Sequence, residues 1–149
     1  MTLLVTLVIS AWVGAQSNNS RPLVYVAQVQ GTIDLGLAPY IERVLQEAES
    51  NNAAAVVLQI NTFGGRVDAA VQIRDALLKS PIKSIAFIDT RAISAGALIS
   101  LATNAIVMAP GGTIGAATPV QSSGTETKPT SEKTVSYVRK EFSATAESR

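Results

Sequence analysis

The stretch Ala54-Ala55-Val56-Val57-Leu58-Gln59-Ile60, continuing as Asn61-Thr62-Phe63-Gly64-Gly65-Arg66 and then Val67 to Leu78, decides the fold. Its first seven residues are apolar apart from Gln59, the pattern of a strand buried on both faces. From Val67 the period changes: Val67, Ala70, Val71, Leu77 and Leu78 share one helical stripe with Ile73 beside it, and Pro81 stops the helix. A strand, a glycine pair and a helix in this order form half of a βαβ unit.

The same alternation extends in both directions. Leu23 to Val29 reads as a strand closed by Gly31. A helix starting near Pro39 places Ile41, Val44, Leu45 and Ala48 on one face and ends at Asn51 and Asn52. Downstream, Ile82 to Ile88 predicts a strand, Ala95 to Ala102 a short apolar helix, and Ala105 to Met108 another strand. The expectation is an α/β fold with right-handed crossovers and a largely parallel sheet. From Gln121 to Ser131 the residues are Ser, Thr, Gly, Pro and charged types, predicting a mobile loop. Glu132 to Arg149 then reads as a helix with Val135, Val138, Phe142 and Thr145 on one side. No Gly or Asn closes it, so the intact protein is expected to continue.

The chain has 149 residues, enough for one domain with a core. A net charge of +1 and scattered Lys and Arg give no footprint for nucleic acid. Cys and His are both absent, which excludes thiolate nucleophiles, imidazole metal sites and a Ser-His-Asp triad within this chain. Any hydrolytic base must come from Lys, Asp, Glu or Tyr. Residues 1–15 hold an apolar run, Leu3 to Val13, followed by small residues. At that length it suits a secretory signal or N-terminal anchor better than a full membrane span, although no Lys or Arg precedes it. Residues 16–22 then read as a polar linker, and 23–149 as the folded domain.

Three segments carry residue types that packing alone does not demand. Asn61 to Arg66 sets paired glycines before a helix, where free N–H groups suit an anion or an oxyanion; a plain turn is the alternative. Ala92-Ile93-Ser94-Ala95-Gly96-Ala97 places Ser94 at the opening of a helix made of small residues. Ser94 is then either a helix cap or a nucleophile whose negative charge the helix N-terminus favours. Ser100, further along, reads as a buried hydroxyl bonded to backbone. Lys133 opens the last helix; it is a solvated lysine unless an apolar pocket strips its proton and makes it a base.

Taken in order, Val24 to Val29 with Gly31, Asn61 to Ala69, Ser94 to Ala97, Met108 to Gly111 and Ile114 to Ala116 resemble the protease domain of the membrane-bound NfeD proteins. That family is similar to signal-peptide peptidase A. The resemblance implies a ClpP/crotonase-like fold with repeated β-β-α and βαβ units, covering residues 23–149. It implies a serine endopeptidase with a Ser–Lys dyad: Ser94 as nucleophile, Lys133 as base, and the Gly65 and Ala95 N–H groups as oxyanion hole, with Gly64 shaping the turn. No cofactor or metal is implied. Implied partners are apolar segments of stomatin-like membrane proteins and a second copy in a homodimer or larger assembly; the N-terminal apolar run adds the expectation of a membrane-associated place outside the cytoplasm. The family usually has proline where Phe63 stands here, and Phe63, Ile93 and Ile114 are expected to line the substrate groove. Two rivals remain. One is a non-catalytic scaffold for membrane assembly. The other is an acyl-CoA-processing crotonase, for which only Asp68 and Asp89 lie near the motifs.

Overall fold

A computed structural model of the chain describes residues 21–123 and 126–149. The predicted leader, residues 1–15, and most of the linker lie outside the described residues. Four parallel strands stand in sequential order: β1 (Val24–Ile33), β2 (Ala55–Gly65), β3 (Ser84–Ile93) and β4 (Ala105–Met108). A fifth strand, β5 (Thr113–Gly115), pairs in parallel with the far end of β3, beyond the stretch that β4 occupies. Helices α1 (Leu37–Ser50), α2 (Val67–Lys79) and α3 (Ala95–Leu101) connect successive strands. Crossovers of one hand between strands in sequential order leave every helix on the same side of a sheet. In keeping with that rule, α2 packs between α1 and α3.

The sequence pattern explains each element. Ile41, Leu45 and Ala48 of α1 and Ile73 and Leu77 of α2 are buried, at the helical spacing read above. They pack against Ala27, Val29, Val56, Leu58, Ile60, Ala86 and Ile88 from alternate positions on the strands. Each large aliphatic side chain so buried contributes roughly 1.5–3 kcal/mol. The Asp34 carboxylate opens α1 by accepting from the Gly36 and Leu37 amides at 2.9 and 3.2 Å.

Three differences from the sequence reading bear on the site. β1 does not end at Gly31; that glycine takes φ +71° at a register shift, and the strand resumes as far as Ile33. β2 is covered on one face only. Val56, Leu58 and Ile60 are buried, Val57 and Gln59 are half-buried, and across the open face Val26 is 62% exposed. A continuous apolar run suits either environment, so its composition does not reveal that one face lacks a helical layer. The segment predicted as a loop contains two short antiparallel strands, β6 (Val120–Ser123) and β7 (Glu126–Pro129).

Helix α4 (Glu132–Glu147) follows this hairpin and docks on α2 and α3. The Ser131 hydroxyl caps its start by accepting from the Thr134 amide at 3.3 Å. At its far end the Arg149 guanidinium donates to the Ala102 and Leu77 carbonyls, at 2.9 and 2.8 Å. These carbonyls sit at the C-terminal ends of α3 and α2, where unpaired oxygens and the helix dipole both favour a cation. Arg74 of α2 adds a bond to the Thr145 hydroxyl at 2.8 Å. Among the described residues, no helix is long and apolar enough to cross a membrane.

Candidate active site

The C-terminal ends of β2 and β3 meet at one end of the sheet, the edge where open α/β sheets place their ligands. Gly64 and Gly65, predicted as a turn, are the last residues of β2. Gly65 pairs with Ile33 so closely that a Cβ would overlap the Ile33 backbone. Only glycine permits that approach. Gly64 takes φ +109°, and a Cβ there would stand 2.8 Å from the Cβ of Ser94.

Ser94 stands between β3 and α3 with φ 55° and ψ −113°, a conformation that L-residues adopt only at a cost. A serine at a strained strand-to-helix turn projects its hydroxyl clear of the sheet, the device used by nucleophile elbows. Its amide is tied to the Gly115 carbonyl of β5 at 2.7 Å. The hydroxyl does not cap α3, and it makes no hydrogen bond among the described residues. The capping role considered for Ser94 is therefore not the one it plays. Ser100, by contrast, is buried and donates to the Gly96 carbonyl at 2.8 Å, as its sequence context predicts.

The amides around Ser94 are placed by neighbouring contacts. The Arg66 N–H donates to Ile33 at 2.8 Å, on the β1 side. The Ala95 N–H, first in α3, has no hydrogen bond among the described residues. The Gly64 N–H is occupied, donating to the Thr62 hydroxyl at 2.9 Å. That hydroxyl in turn donates to the Gly31 carbonyl at 2.5 Å. Thr62 is buried and escaped the sequence reading; its signal was a polar residue where the strand pattern calls for an apolar one.

Ser94, Gly65 and Ala95 open onto one cavity of about 420 Å³. Phe63 and Ile93 line it, together with Leu98, the 116–120 segment, and Val138 and Phe142 of α4. Ile114 does not: it is paired with Ala92 on β5, 39% exposed and outside the lining. Lys133 is not among the lining residues either. It stands in the first turn of α4 with its side chain in solvent, five positions before Val138. The structure therefore brings Ser94, Gly65, Ala95, Phe63 and Ile93 to one cavity and leaves Lys133 outside it.

Among the described residues, no Asp or Glu lines this cavity. Asp68 is held away by Arg66, whose guanidinium donates two bonds to it at 2.7 and 3.0 Å. Those bonds keep the Asp68 carboxyl below the usual carboxylate range and raise the guanidinium. On the α2-facing side of α4, burial and then the neighbouring Glu141 carboxylate push the Tyr137 phenol up. Among the described residues no three Asp or Glu side chains cluster as metal ligands.

A parallel α/β domain with a strained serine over an apolar cavity, flanked by glycine-bearing backbone, defines the class. The chain belongs to the NfeD1b N-terminal domain family, whose model matches residues 23–149. It is similar to the membrane protein NfeD1b of Bacillus subtilis, 41% identical over 104 residues, or 70% of this chain and 24% of the relative. It is also similar to the membrane-bound protease PH1510 of Pyrococcus horikoshii, 36% identical over 104 residues, 68% of this chain and 24% of the relative. The chain thus spans about a quarter of the length of these curated relatives. Among solved structures, it resembles a serine-to-alanine mutant of the 1510-N membrane-bound stomatin-specific protease, with a TM-score of 0.79 and 31% identity. That match covers 86% of this chain and 64% of the other. A lysine-to-alanine mutant of the same protease, in complex with a substrate peptide, matches with the same TM-score and identity over 86% and 61%.

Proposed function

We propose that this domain is a serine peptidase in which Ser94 attacks a peptide carbonyl and Lys133 serves as base. The observation that carries this reading is the strained Ser94, its hydroxyl unengaged, facing an apolar cavity that Gly65 and Ala95 also line. Strain at a polar residue is retained where the conformation is used. The neutral Lys133 amine takes the Ser94 proton as the hydroxyl oxygen bonds to the carbonyl carbon. The Gly65 and Ala95 N–H groups hold the resulting oxyanion. The lysine ammonium then gives its proton to the departing amine, and water, deprotonated by the same lysine, releases the acyl group.

This chemistry requires Lys133 to leave solvent and reach Ser94, since its side chain is exposed and stands outside the cavity lining. Its place beside the β6–β7 hairpin suits such a movement while Val138 and Phe142 stay in the cavity wall. Substrate, or a second copy of the chain, completes the enclosure. The apolar lining suits an apolar peptide, and the stomatin-specific relatives make a segment of a stomatin-like partner the natural substrate, with the intact protein at a membrane outside the cytoplasm. An acyl-CoA reading gains no support from the described lining, which holds no carboxylate. The scaffold reading draws on the exposure of Lys133.

The test is cleavage of an apolar stomatin-derived peptide, together with labelling by a serine-directed phosphonate. Ser94→Ala is expected to abolish both, and Lys133→Ala to lower cleavage by a factor on the order of 10³ or more. Cleavage by Ser94→Ala at the wild-type rate overturns the proposal.

A further inference from the structure

Phe63 combines two properties that packing does not explain. It lines the cavity beside Gly65 and Ser94, yet it is 75% exposed. The Arg91 guanidinium of β3 lies over one face of its ring, 4.4 Å from the centroid. A cation over an aromatic face is attracted by the ring quadrupole, so the ring is held in place without being covered. Its other face remains free. Arg91 itself makes no ion pair or hydrogen bond among the described residues, so its N–H donors are uncommitted.

We infer that Phe63 and Arg91 form a two-part specificity subsite for an apolar substrate residue next to an acidic one. The open ring face takes the apolar side chain, and the guanidinium edge takes the carboxylate. This deepens the peptidase reading and rests on the Ser94 cavity being the peptide site. The ring is pre-ordered by Arg91, so little side-chain freedom is lost on binding. Planar recognition of a carboxylate by two parallel N–H donors is what arginine supplies and lysine does not. Neither residue is assigned to the bond-making step; both act by positioning the peptide.

Binding is measured on full-length Ser94→Ala protein, which separates recognition from turnover. The probes are leucine–valine peptides carrying one glutamate stepped along the chain, against the same peptides with glutamine. At low salt, one glutamate position is expected to tighten binding roughly threefold to tenfold over glutamine, with the advantage fading at high salt. Adding Arg91→Gln should erase that ratio, and Arg91→Lys should restore it only in part. Adding Phe63→Ala should weaken both peptides together. No glutamate preference at any position, or a preference that survives Arg91→Gln, overturns the subsite. The catalytic reading fails separately, if wild-type protein binds the glutamate peptide and never cleaves it.

Discussion

The missing side chain of Gly64 and the Cβ of Ser94 share one space: a methyl group on Gly64 would stand 2.8 Å from it, with the Ile93 carbonyl at 3.0 Å and the Ala95 nitrogen at 3.3 Å. The strained serine turn is therefore shaped by a glycine thirty residues earlier in the chain. Both residues lie just past the last positions paired between β2 and β3, Thr62 and Ala92.

Gly64→Ala tests this directly. The added methyl meets the serine turn, and φ +109° is unfavourable for alanine. Overpacking and backbone strain together cost about 2 kcal/mol or more. The urea midpoint should fall accordingly. Phosphonate labelling of Ser94 should slow at least about tenfold even where the variant is folded, because the turn must shift to admit the methyl.

Thr62 holds the other side of the same turn. Thr62→Val keeps the shape and removes the oxygen, leaving the buried Gly64 N–H without its acceptor. An orphaned buried amide costs about 1–3 kcal/mol. Thr62→Ser keeps both bonds and loses only the methyl, for about 1 kcal/mol. Labelling of Ser94 in the two variants reads the difference: retained in Thr62→Ser, impaired in Thr62→Val.

These contacts mark where the sequence is legible and where it stops. The order of strands and helices follows from apolar period, and Ala105–Met108 and the start of α2 at Val67 fall where the pattern places them. Ser94 stands out because it interrupts a strand-to-helix junction of small residues, but its φ of 55° depends on the Gly115 carbonyl and the Gly64 backbone. No local signal encodes those. Gly64 and Gly65 look like a turn because glycine pairs usually are one; here they extend a strand because Ile33 lies against Gly65. β6 and β7 escaped because their residues have little strand propensity, and pairing overrides propensity. Lys133 is legible as the start of a helix, whereas its exposure is a property of how α4 docks.

The Arg66–Asp68 pair gives a pH dependence of known sign. The folded state holds the Asp68 carboxyl below its unfolded value. Its contribution is therefore present above the unfolded value of about 3.9 and is lost as pH falls through the lower folded value. Both side chains are more than half exposed, so the effect is small and salt weakens it. Urea midpoints of wild type and Asp68→Asn should differ at about pH 7 in low salt. They should converge at about pH 2 and in high salt.

Arg149 offers the sharpest test of how α4 is held. Its guanidinium bonds the Leu77 and Ala102 carbonyls, so one side chain ties α4 to the ends of two other helices. Hydrogen bonds from a charged donor contribute about 1.5–3 kcal/mol, and both of these are partly buried. Arg149→Gln should therefore destabilise the fold by roughly 2 kcal/mol. The loss should also be local: hydrogen exchange should rise through α4 while the β1–β3 amides stay protected, because those strands share no bond with Arg149. Val138 and Phe142 belong to α4 and wall the Ser94 cavity, so peptide affinity should fall along with α4 protection. Equal protection throughout α4 in wild type and variant would mean that apolar packing alone docks the helix.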